Sequence, residues 1–116
     1  MLLSTMNDLP GNEIEAVMGE VFGLTVRSRH AGSVIGAAFK SLAGGELRGM
    51  TKALTESRQE AQQRLVEEAT QLGADAVLAV RFDASEIGSG WQEICAYGTA
   101  VRLAHPPNGS PEAERR

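Results

Sequence analysis

Ala74-Asp75-Ala76-Val77-Leu78-Ala79-Val80-Arg81-Phe82 and Trp91-Gln92-Glu93-Ile94-Cys95-Ala96-Tyr97-Gly98-Thr99-Ala100-Val101-Arg102-Leu103 decide the fold. The first stretch is a nearly continuous apolar run, and the second carries apolar side chains at odd and even positions alike. Both read as strands. Between them Ser85-Glu86-Ile87-Gly88-Ser89-Gly90 reads as a hairpin loop with two glycines. Regular alternation sets Leu78, Val80 and Phe82 on one face of the first strand and Val77 and Ala79 on the other. In the second strand it sets Tyr97, Val101 and Leu103 against Ile94, Ala96 and Ala100. Strands that are apolar on both faces need cover on both.

Working outward, Glu13–Arg27 is rich in β-branched residues and predicts a third long strand, kinked near Gly19. Ala31, Val34, Ile35, Ala38, Phe39 and Leu42 recur at helical spacing, with Gly44-Gly45 as a stop. A second helix runs from Leu47 or Thr51 to Leu72, with Leu54, Ala61, Leu65, Ala69 and Leu72 on one stripe and Gly73 as its cap. The order strand, helix, helix, strand, strand is an α+β unit, a small antiparallel sheet with one long helix packed on it. A single long helix covers only one sheet face. The second face and the bare strand edges therefore point to self-association.

The chain has 116 residues, 42% of them hydrophobic and 22% charged, with a net charge of -4. That is one domain, set at residues 1–104, followed by a tail at 105–116. Pro106–Arg116 holds three of the four prolines and no large apolar side chain, so the tail is expected to be disordered. No apolar run reaches ~18 residues, which excludes a membrane-spanning helix. Met1–Met6 lacks the basic and apolar regions of a signal peptide, so the expected compartment is the cytoplasm. The acidic balance argues against a nucleic-acid partner. A lone cysteine, Cys95, forms no intrachain disulfide.

The ordered set Leu3-Ser4-Thr5, Leu9-Pro10-Gly11, Gly44-Gly45-Glu46, the helix with Arg58 and Ala61, Leu72-Gly73-Ala74-Asp75-Ala76-Val77 and Ala96-Tyr97-Gly98-Thr99-Ala100-Val101 resembles the YbjQ-like family of small bacterial proteins. The likeness covers roughly residues 2–103. It implies a dodecin-like topology, a ring-shaped homopentamer and a heavy-metal-binding label. One acidic residue common in the first helical segment of such proteins has no counterpart near Ser33-Val34-Ile35, so no role for it is carried over.

The residues themselves support that label weakly. Structural zinc takes four Cys or His ligands at short paired spacings, and this chain offers Cys95, His30 and His105, with no Cys-x-x-Cys and no His-x-x-x-His. A ring of Cys95 copies, or Glu93 and Cys95 with a neighbouring subunit's His30, are the candidate ligand sets for an ion held weakly or substoichiometrically. No other cofactor is implied. Gly32-Ser33-Val34-Ile35-Gly36 through Lys40-Ser41 lacks the Gly-Lys-Ser/Thr step of a phosphate loop, and no Gly-x-Ser-x-Gly elbow exists. Charges set among apolar residues are more informative, because a buried charge must be paired. Glu46, Arg58, Arg81, Glu93 and Tyr97 are the candidate ligand-binding or interface residues. The expected protein is a homo-oligomeric module, pentameric and cytoplasmic, acting as a scaffold or holding a small ligand or metal ion. The alternative is an enzyme whose active site is assembled between subunits from the same charged residues.

Overall fold

The computed structural model describes residues 1–28, 48–87 and 90–106. Among these, strands β1 (Leu2–Leu3), β2 (Ile14–Ser28), β3 (Ala76–Glu86) and β4 (Trp91–Leu103) accompany one helix, α1 (Arg48–Gln71). The strands form a sheet of order β1-β3-β4-β2. β4 pairs antiparallel with β3 and β2, whereas β1 lies parallel to β3. The sheet is therefore mixed, which corrects the antiparallel expectation. Two residues carry no periodicity. β1 exists as strand because β3 offers it an edge, with the Leu2 amide donating to the Asp75 carbonyl and the following Ser4 amide to that of Val77. The helix expected over residues 31–42, together with His30 and Glu46, lies outside the described residues, as does the tail from residue 107 onward.

α1 packs on one face of the sheet. Ala61, Leu65 and Ala69 are fully buried there against Val21, Val77, Val80, Ile94, Ala96 and Ala100. Leu54, in the second turn of α1, and Leu72, just past its end, are expected on the same stripe yet stay 41% and 44% exposed. The contact is close at Gly23, where a Cβ would come within 2.0 Å of the Ala61 carbonyl oxygen. Any side chain there would push the helix off the sheet. Gly73, at φ +78°, ends the helix as the sequence suggests. Its amide reaches the Thr70 carbonyl and the Ala74 amide that of Ala69, the two bonds of a Schellman cap.

β3 breaks the expected alternation. Leu78 pairs with Thr99 and Arg81 with Tyr97, so three steps of β3 span two of β4. The extra residue sits at a bulge where Ala79 adopts φ +53°, a left-handed conformation uncommon outside glycine. One inserted residue exchanges the faces of everything beyond it. Val77, Val80 and Phe82 thus share the face under α1, while Leu78 lies on the other, correcting the placement of Leu78 with Val80. The physical reason is the polarity of the outer half of the strand. Without the bulge Arg81, Asp83 and Ser85 would point under the helix. Gly98 makes room for it, since a Cβ there would meet Val77 Cγ1 at 2.7 Å and the Leu78 carbonyl at 2.8 Å.

On the second face the β1–β2 loop lays Leu9, with Ile14, over Ala76, Leu78, Val101 and Leu103, forming a smaller core. At its edge Asp75 is fully buried, and its Oδ2 accepts the Leu103 amide at 2.8 Å. Among the described residues nothing packs over the remainder of this face, beyond the bulge.

Candidate functional site

The open face is a grid three strands wide. Phe22 of β2, Tyr97 of β4 and Arg81 of β3 lie side by side, then Leu24, Cys95 and Asp83, then Val26, Glu93 and Ser85. Phe22, Leu24, Val26, Trp91 and Tyr97 are all 38–53% exposed. Phe22 and Tyr97 border a cleft of about 460 Å³ whose lining also includes Glu20, Asp83, Glu93, Cys95 and Thr99. Its three carboxylates make no hydrogen bond or ion pair among the described residues. No basic side chain lines it.

The buried Cys95 thiol borders this cleft and donates to the Ala96 carbonyl at 3.6 Å. Burial pushes its pKa above the ordinary thiol range, and the neighbouring Glu93 and Asp83 carboxylates raise it further. The shift lowers the fraction of thiolate, the form that attacks an electrophile.

The edge of β2 is guarded by the helix. Glu68 Oε2 accepts the Phe22 amide at 3.1 Å, and the Arg64 guanidinium donates to the Leu24 carbonyl. Glu60 ties Arg64 and Arg27 together at 2.7 and 2.9 Å. These side chains occupy backbone groups that would otherwise template pairing with another strand.

Of the residues singled out from sequence, Arg81, Glu93, Cys95 and Tyr97 share the open face. Arg81 and Glu93 do not oppose each other, because Arg81 pairs with Tyr97 and Glu93 with Ser85, about 13 Å along the strands. Arg58 is elsewhere. Its guanidinium lies 5.2 Å from the ring centre of Phe82, on the side covered by the helix. Sequence reasoning missed Glu20, Phe22, Asp83 and Thr99. The signal for Asp83 was present: Arg81, Asp83 and Ser85 alternate out of phase with Val77, which only a bulge reconciles with a buried face.

Residues 1–104 match the family model described as "Putative heavy-metal-binding". The chain belongs to this family, YbjQ. Among its relatives, the UPF0145 protein of Streptomyces coelicolor is 62% identical over 104 residues, covering 90% of this chain and 98% of its own length. The UPF0145 protein of Thermotoga petrophila is 50% identical over 103 residues, covering 89% and 97%. A crystal structure of a protein of unknown function of the DUF74 family from Pediococcus pentosaceus superposes with a TM-score of 0.61 over 89% of this chain and 97% of that one. At 14% identity that likeness speaks for the fold alone.

The metal in the YbjQ description does not fit the described residues. Among them no group of three or more His, Cys, Asp and Glu side chains is placed to hold an ion. Asp83 pairs across the strands with Cys95, and Glu93 lies two residues along on the same face, yet the three are not placed as a ligand set. No helix among the described residues is long and apolar enough to cross a membrane.

Proposed function

We propose that this YbjQ-family chain is a cytoplasmic, homo-oligomeric scaffold module whose subunits, five to a ring, pack through the open sheet face. The observation that carries the reading is the row of half-exposed Phe22, Leu24, Val26, Trp91 and Tyr97 on one face, with α1, the one described helix, committed to the other. Contiguous apolar surface of this kind is the usual mark of an interface. Charge supports a head-to-tail arrangement. The open face holds three carboxylates, Glu20, Asp83 and Glu93, to the one guanidinium of Arg81, so two such faces meeting leave acids in excess, whereas a different surface of the neighbour can answer them. Head-to-tail contacts that close make rings.

The acid-lined cleft then falls at the junction between subunits, where it suits a small cationic ligand better than a metal ion. A metal is expected at most weakly or substoichiometrically, where copies converge. The enzyme alternative draws no support from the geometry, because Arg58 is separated by the sheet from Arg81, Glu93 and Tyr97. Native mass spectrometry of the purified full chain tests the reading, reporting subunit number and retained ligand together. The expected result is an assembly larger than a dimer without one tightly held metal per subunit.

A further inference from the structure

Three consecutive carbonyls of the N-terminal segment are spent on the bulge of β3. Ser4 O accepts the Val80 amide at 2.9 Å and Met6 O the Ala79 amide at 2.8 Å. Between them Thr5 O accepts Nη1 of Arg81 at 2.8 Å. The segment is shaped for this by its own turn, in which the Met6 amide donates to Ser4 Oγ at 3.0 Å. At a bulge the ladder is interrupted and the inserted residue loses its pairing across the sheet. Here the N-terminal segment supplies the missing acceptors and meets the one described non-glycine residue at positive φ.

We propose that Ser4–Met6 is a latch that holds β3 in its bulged register and so keeps Arg81 and Asp83 on the open face. With the latch closed, Arg81 and Asp83 stand on that face and Val80 and Phe82 under the helix. With it released, the Ala79 and Val80 amides lose their acceptors while the strain at Ala79 remains. Straightening the strand is not a refuge, because it would turn Arg81 and Asp83 into the apolar side. The released state is therefore one in which β3 beyond Leu78 detaches from β4. The latch thus ties the Ser4–Met6 segment to the open face. It takes its importance from the proposed role of that face, yet its test does not depend on it.

The test is amide hydrogen exchange on the full chain for Arg81→Ala, Ala79→Gly and the double variant. Arg81→Ala cuts the side-chain tether to Thr5. It should speed exchange at Ala79–Asp83 about tenfold while leaving Ala61–Ala69 of α1 unchanged, as expected for loss of a charged hydrogen bond. Glycine at 79 removes the strain, so the double variant should recover most of the protection. Should Arg81→Ala fail to fold, Arg81→Gln, which keeps an N–H donor, is read in the same residues for a smaller rise. Three results would overturn the latch: no rise, a rise spread evenly over sheet and helix, or no recovery with Ala79→Gly. Subunit number is measured separately, so an assembly that fails to form leaves the exchange pattern readable.

Discussion

Ala79 sets the phase of the hairpin at a cost to itself. A non-glycine residue at φ +53° carries strain that a glycine would not. Ala79→Gly is expected to stabilise the protein by about 1 kcal/mol, read as a higher urea midpoint with an unchanged slope. A loss of stability would mean that the alanine methyl contributes packing that outweighs the strain. Cys95 makes a second residue-scale prediction. Its pKa is raised in the folded state, by burial first and then by Glu93 and Asp83. The stability this contributes is whole below the ordinary thiol pKa and is lost as pH rises through the folded value. Thiol labelling of the native chain should therefore remain slow at about pH 8, where the unfolded chain reacts readily. Glu93→Gln should move the labelling profile to lower pH, and an unmoved profile would remove Glu93 from the explanation. At this scale Arg81, Glu93, Cys95 and Tyr97 could be picked from the sequence as polar or reactive groups among aliphatics. Their partners could not, because pairing depends on a bulge that regular alternation does not contain.

At the scale of elements, β2, α1 and β4 follow from local rules: β-branched runs, a helical stripe around Leu65, and a glycine that caps. β1 does not. Its two residues have no pattern of their own and become a strand only beside β3, so nothing short of the tertiary fold could announce them. The union of helix and sheet is equally non-local. Gly23 looks like an interruption of a strand, yet it is where the backbone of α1 rests on β2. Gly23→Ala should cost about 3 kcal/mol in urea unfolding, since a methyl 2.0 Å from a carbonyl oxygen forces the two elements apart. Glu68→Ala should cost less, about 1 kcal/mol, by leaving the Phe22 amide to solvent. Should the two variants cost the same, the close contact at Gly23 would not be the critical one.

For the whole molecule, the need for cover on both sides of the sheet was readable from strands apolar at odd and even positions. Where that need lies was not. Leu78 and Val80, which alternation placed together, are both buried within one subunit, in separate cores on opposite faces. A charge at Val80 is therefore expected to unfold the chain rather than dissociate it. The uncovered surface is instead the row through Phe22, Leu24 and Tyr97. Leu24→Asp, at a position 45% exposed in the single subunit, should leave the fold intact and separate the copies. The most direct measurement is mass by light scattering coupled to size exclusion, at micromolar concentration, for the native chain and Leu24→Asp side by side, with circular dichroism to check the fold. The expected result is a native assembly larger than a dimer that falls to a folded monomer in the variant. A native chain that runs as a stable monomer, or a Leu24→Asp variant that keeps the native mass, would contradict the open face as the surface of assembly.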